Sequence, residues 1–184
     1  AYERWGDPIF AQLIYYLNGD SVEGIHGDIY SSAPERIKDN IKSVIAEHGP
    51  LTLGDAHLTG YGFSCLRDGD PVFSSKEDNA QSPPRALWMY YGRNGGHGHP
   101  DALNIGYLAW GLNLAPDNGY PEAASNRARN THEWVKNTIS HNTVVVDRRK
   151  QRRHEVAIPR HLDDAGWVKL IDVEAPRVYP QTDI

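Results

Sequence analysis

The hydrophobic positions along this chain fall into two regimes. In "DPIFAQLIYYLNGD" (7–20) they cover most of a helical circumference, as in a helix packed on several neighbours. Asp7 is placed to cap that helix, Pro8 suits its first turn and Gly19 ends it. A second helix is predicted up to Gly49: Ser32 and Glu35 form a capping box, Pro34 sits in the first turn, and Ile37, Ile41, Val44 and Ile45 recur at helical spacing. Beyond Gly49 the period changes. "GYGFSCLRDGDPVF", "RALWMYYG", "ALNIGYLAWGLNLAPD", "ISHNTVVVD" and "GWVKLIDVEAP" are short β-branched and aromatic runs separated by Gly, Pro, Asn and Asp. They read as antiparallel strands of a sandwich. The expected fold is therefore α+β, with a helical part over 1–49 and a β domain over 50–184. Two helices cannot form a core alone, so they are expected to finish a larger helical domain, which makes the chain a fragment or processed product.

Composition narrows the function classes. The 184 residues are 39% hydrophobic and 23% charged, with a net charge of -5. That mildly acidic balance argues against a general binder of nucleic acid or membrane surfaces. "DRRKQRRH" (147–154) is the one basic stretch, able to face an acidic ligand. No apolar run is long enough to span a bilayer, and no signal-peptide pattern is present. The single cysteine, Cys65, cannot form an intramolecular disulfide or a cysteine-rich zinc site, and its setting suits a buried structural thiol.

Three segments carry the unusual polar residues. "GRNGGHGHPDALNIG" (92–106) sets His97 and His99 one glycine apart, "LAPDNGY" contains Asp117, and "TISHNTVVVD" contains His141. Each puts an imidazole or carboxylate at or beside an apolar strand, where an unpartnered polar group is costly to bury. A shared metal ion is one economical partner. Two neutral imidazoles and a carboxylate, with a fourth position open, suit Zn²⁺. Regular alternation would aim both histidines of the bend the same way, but Gly95, Gly96 and Gly98 free the backbone from regularity. One histidine can then bind metal while the other faces substrate. His26, His48, His57, His154 and His161 default to surface or hydrogen-bonded roles, His132 lies in a charged connection, and Asp147 reads as a turn residue ending a strand.

These residues resemble a known family. "GRNGGHGHPDALNIGYLAWGLNLAPDNGYP" followed by "WVKNTISHNTVVVDRRKQ" is similar to the C-terminal β domain of heparinase II/III-like polysaccharide lyases, over about Leu51 to Gln151. The resemblance implies the end of an (α/α) toroid followed by an antiparallel β-sandwich, and cleavage of uronate glycans such as heparin, heparan sulfate or alginate by β-elimination. It implies that His97 faces the uronate as an active-site residue. It also implies that His99, Asp117 and His141 hold a structural zinc. The family's catalytic tyrosine and its carboxylate-neutralising Asn or His would come from the toroid, outside this chain. Some alginate-cutting relatives use a tyrosine in the loop before the last zinc ligand. Here that loop carries Arg127, Arg129 and His132, with Tyr120 at its start. A periplasmic or secreted bacterial-type location follows from the same resemblance. The implied partners are an anionic uronate polysaccharide and the toroid of the same polypeptide, with a homo-oligomer left open; nucleic acid and membrane are not expected.

The chemistry is coherent. The C5 proton of a uronate leaves only once its carboxylate charge is damped; a base then removes it and an acid protonates the departing O4. His97 can serve as base or carboxylate clamp. Arg93, Arg127 and Arg129 can grip carboxylate or sulfate through forked donors, and Asn104 and Asn142 can orient the ligands. Two other readings compete. HxH followed by a later His in a β-sandwich is also cupin-like, although no Glu follows the HxH here. A non-catalytic carbohydrate-binding domain would use aromatics such as Trp88, Trp110 or Trp134.

Overall fold

In the computed structural model, residues 6–27, 29–30, 32–69, 72–73, 84–94, 98–117, 119 and 133–180 are described. The chain divides into two compact units, 1–54 with 69–82, and 55–68 with 83–184.

The first unit is built on helices α1 (Ile9–Leu17) and α2 (Ile37–His48) and a short antiparallel pair, β1 (Leu51–Thr52) with β4 (Val72–Phe73). Asp7 accepts the Ile9 amide at 3.0 Å, as its capping position predicts. The expected capping box is not what starts α2. A 3₁₀ turn, Pro34–Arg36, leads in, and neither segment has a side-chain cap. Pro34 has no N–H to give and its fixed φ favours this tight entry. Gly49, at φ 76°, ends α2 as anticipated. The core is aliphatic: Ala11, Val22, Ile41 and Val44, with Tyr15, Ile25, Ile37 and Ile45 packed against it. One polar side chain enters it. Gln12 donates to the carbonyls of Gly49 and Pro50, both at 3.1 Å, so the helix exit is satisfied from inside.

The second unit centres on a five-stranded antiparallel sheet in the order β2-β3-β5-β6-β7. Its strands are Ala56–Leu58, Phe63–Asp68, Arg85–Tyr90, Asn104–Ala109 and Leu112–Asn113. The run "ALNIGYLAWGLNLAPD", read as one strand, is a hairpin: Trp110 and Gly111 both have positive φ, the signature of a two-residue primed turn. Trp88 pairs across strands with Gly106, where any Cβ would come within 2.0 Å of the indole. It stacks on Phe63 at 6.2 Å, so it packs within the sheet. Cys65 is buried there as expected, and burial raises its pKa. A separate hairpin, β8 (Ile158–Asp164) with β9 (Lys169–Glu174), is tied to the sheet by Lys169. That ammonium donates to Asp55 Oδ1 at 3.0 Å and to the Arg67 carbonyl at 2.6 Å. The molecule is thus α+β, with a small helical part and antiparallel sheet. No helix among the described residues is long and apolar enough to cross a membrane.

One predicted strand is absent. "HNTVVVD" follows a 3₁₀ turn, Thr138–Ser140, and has no strand assigned over 141–147. Its backbone groups are taken by other partners. Asn142 N donates to Asn104 Oδ1 at 3.0 Å, the Asn142 carbonyl receives Ile105 N at 3.1 Å, and the Val144 carbonyl receives Tyr179 OH at 3.1 Å. β-propensity was outweighed by tertiary partners that take these backbone groups. Asp147 is a turn residue, at φ 52°.

Candidate functional site

The bend after β5 is fixed by two features. Asn94 makes a double connection to the chain across from it, receiving His154 N at 2.8 Å and donating to the Arg152 carbonyl at 3.2 Å. Gly98 then passes so close to Asn94 that a Cβ would lie 2.8 Å from its Cα. His99 follows directly and is buried, at 8% exposure. The next turn, Asp101 to Asn104, closes through Asn104 N to the Asp101 carbonyl at 3.0 Å, with Leu103 in the left-handed region at φ 61°. Type II turns usually give that position to glycine, so Leu103 is held there by its surroundings. Gln151 provides the hold: its Oε1 accepts Ala102 N at 2.7 Å and its Nε2 donates to the Ala102 carbonyl at 3.2 Å. Thr138 Oγ1 donates to the Pro100 carbonyl at 2.7 Å and receives Gln151 N at 2.9 Å.

This frame sets His141 beside both other predicted ligands, His99 and Asp117. The His141 side chain is wholly buried, with Nδ1 2.8 Å from Asp117 Oδ2 and Nε2 2.8 Å from the Val135 carbonyl. A carbonyl only accepts, so Nε2 carries a proton. Nδ1 therefore either holds a second proton shared with Asp117 or offers its lone pair to a cation. Asn104 donates to the same Asp117 oxygen at 2.6 Å, and Gly119 N donates to the other at 2.7 Å. The His99 and His141 ring centres are 5.1 Å apart. Asp101, read from sequence only as a turn residue, joins them: one ligand-type atom from each of His99, Asp101 and His141 lies within 4.8 Å of the others. Among the described residues, this is the one group of three or more such side chains close enough to share an ion.

The electrostatics describe a site short of positive charge. Burial raises the Asp101 pKa to about 6, against the pull of His141. The His141 hydrogen bond lowers Asp117 to about 2, against desolvation. For His141, burial disfavours the cation, but the Asp117 bond and the Val135 carbonyl outweigh it and the pKa rises. Asp101 Oδ1 is buried without a hydrogen-bond partner. Nitrogen and carboxylate donors converging on one point, with an orphaned carboxylate oxygen beside them, fit a borderline divalent cation such as Zn²⁺.

Other predicted residues lie apart or outside the description. Arg93 flanks the bend, exposed, with Glu155 at 3.6 Å. His97, Arg127 and Arg129 lie outside the described residues, as do Tyr120 and His132. Asn104 and Asn142 both touch the site, Asn104 directly and Asn142 through Asn104. His154 is hydrogen-bonded through Nδ1 to the Glu155 carbonyl at 2.9 Å. Elsewhere in the second unit, a cavity of about 280 Å³ is lined by Arg67, Arg85, Tyr107, Trp167 and Lys169, none of them a predicted site residue.

The sequence pattern of the Heparinase II/III-like, C-terminal family matches residues 79–176, just over half of the chain and all of the described cluster. The chain belongs to the heparinase II/III-like family. A search of curated proteins gives no match. Among solved structures, a heparinase III gene product is similar over 75% of this chain and 21% of its own, at 22% identity and a TM-score of 0.57. Heparan sulfate lyase HepC from Pedobacter heparinus is similar over 95% of this chain and 24% of its own, at 15% identity and a TM-score of 0.59. At these identities the likeness is one of fold. The chain spans between a fifth and a quarter of each heparinase-family structure.

Proposed function

We propose that this chain is the C-terminal part of a polysaccharide lyase that cleaves an anionic uronate glycan by β-elimination. The observation that carries the reading is the cluster of His99, Asp101 and His141, with Asp117 hydrogen-bonded to His141, in a heparinase II/III-like domain. Its donor set suits Zn²⁺, with His99, Asp117 and His141 as holders. Bound there, the ion would supply fixed positive charge that locks three loops together.

The chain's own residues do the rest. The Val135 carbonyl keeps the Nε2 proton on His141 and so leaves Nδ1 for the ion. Asn104 orients Asp117 toward His141. His97 is proposed to act on the sugar, as base or as clamp on the uronate carboxylate. Arg93 sits at the edge of the bend after β5, and its exposed guanidinium can leave Glu155 for a carboxylate or sulfate. Arg127 and Arg129 are proposed for the same grip. The tyrosine and carboxylate-neutralising groups would come from the helical toroid of the same polypeptide.

The test uses the full-length parent protein with heparan sulfate, hyaluronan and alginate. Elimination creates a conjugated unsaturated uronate end with new ultraviolet absorbance, lost in His97→Ala. Cleavage without that chromophore overturns the lyase reading. Binding with no cleavage favours the carbohydrate-binding alternative. The cupin-like alternative has no support from the family match.

A further inference from the structure

We propose that Asp101 is a fourth protein ligand at the metal site, so that the ion is enclosed by side chains and has no position left for substrate. The proposal deepens the zinc reading above and rests on it. It starts from burial. Asp101 is 7% exposed, and its Oδ1 is shut away from solvent with no hydrogen-bond partner. A buried carboxylate oxygen in that state costs roughly 1–3 kcal/mol or more unless something positive faces it. His99 and His141 each present a ligand-type atom within 4.8 Å of an Asp101 oxygen. Zinc draws such atoms to about 2.0–2.2 Å from itself, so closure of these three, with Asp117 turning in from its bond to His141, makes a four-ligand shell.

The backbone leaves Asp101 no other place to go. Pro100 before it is held by Thr138, Ala102 after it is held at both backbone groups by Gln151, and its own carbonyl receives Asn104 N. With Leu103 in the left-handed region, the turn is wound tightly beneath the two imidazoles. Charge balance points the same way. Two carboxylates and two neutral imidazoles around a divalent ion make a neutral site, the form that burial tolerates best. Four protein ligands around zinc mark a structural site, whereas three with an open position mark a catalytic one. Asp101 would thus assign the ion to holding the bend, and leave proton transfer to side chains such as His97.

The experiment uses the 184-residue chain loaded with Zn²⁺ or Co²⁺. One equivalent is expected to bind, and the visible Co²⁺ bands are expected to ignore added azide, because no position is open to it. Asp101→Asn keeps the shape of the side chain. It is expected to weaken zinc binding by about tenfold or more in chelator competition and to make the Co²⁺ bands respond to azide. A wild-type Co²⁺ spectrum that already shifts with azide overturns the proposal without needing any variant to fold. So does an Asp101→Asn chain with unchanged zinc affinity. Metal bound but indifferent to Asp101 sinks this proposal alone. A wild-type chain that takes up no zinc sinks the metal reading with it.

Discussion

The two units bury different things. In the helical unit the interior is Ala11, Val22, Ile41 and Val44, and one glutamine satisfies the helix exit. In the β unit the most deeply buried large side chains are Tyr91, Asn104, Thr138 and Ser64, all bearing polar atoms. An aliphatic interior needs only volume and stays together by dispersion and water exclusion. A polar interior needs every polar atom matched, and Asp101 Oδ1 at the site is one of the few described atoms left unmatched. The contrast separates residues that keep a fold from residues arranged to receive something.

That separation can be attacked from several sides. The largest effect is expected from stripping metal off the zinc-loaded chain. At free zinc about a thousandfold above its dissociation constant, removal costs about 4 kcal/mol. Amide exchange should accelerate around 99–104 and 138–143 and stay unchanged over Ile41–Ile45; uniform loss of protection would erase the contrast. Next, Ile41→Ala empties part of the aliphatic core at a cost of about 3 kcal/mol. Denaturant titration should show the loss while zinc stoichiometry holds. Asn104→Ala removes one of the hydrogen bonds to Asp117 and the side-chain acceptor of the Asn142 amide together, for about 2 kcal/mol. Unlike the isoleucine change, it should weaken zinc binding, as a chelator competition would reveal.

Acidity gives a smaller but sign-specific test. In the metal-free chain, Asp101 and His141 both have folded-state pKa values above their ordinary ones. The stability each contributes is present below its unfolded pKa and is lost as pH rises through the folded value. For Asp101 that loss spans the region from about 4 to about 6; for His141 it comes above 6.5. Asp117 works in the opposite sense, its contribution vanishing only as pH falls from about 4 toward about 2. Melting of the metal-free chain should therefore fall by roughly 2–4 °C between pH 5 and pH 8. Zinc binding competes with protons, so the loaded chain should show the reverse slope. Equal slopes with and without metal would break the link between these groups and the ion. The smallest effect belongs to the exposed Arg85–Asp68 pair, where Arg85→Ala should cost less than about 1 kcal/mol.

Much of the site was legible because its chemistry is concentrated in short segments. His99, Asp117 and His141 are rare residue types beside apolar runs, and the fold sets His141 beside each of the other two, bonded to Asp117 and with the His99 ring centre 5.1 Å away. The runs around β3, β5, β6 and β9 also read correctly: β9 alternates in burial, whereas β3 buries Ser64, Cys65 and Leu66 in succession. What escaped was settled at longer range. Asp101 looked like an ordinary turn residue because only tertiary packing buries it. Gln151 sits in a basic stretch that gives no hint of its buried role holding Ala102. The run at 158–164 was missed as a strand because it contains Pro159, His161 and two aspartates, and is ordered by pairing with β9. "HNTVVVD" misled in the other direction, since its valines suit a strand while Asn104, Ile105 and Tyr179 take its backbone groups.

One imidazole ring has a wider consequence. His141 grips Asp117 with one nitrogen and the Val135 carbonyl with the other, and these two anchors bracket residues 118–134. The ring acts as a clasp that ties position 117 to position 135. Closing a chain between two tied points costs only about 0.6 kcal/mol more for each doubling of its length. Sequence between the two anchors can therefore change in composition and length at little cost to the clasp, while the same histidine, aspartate and carbonyl stay in place.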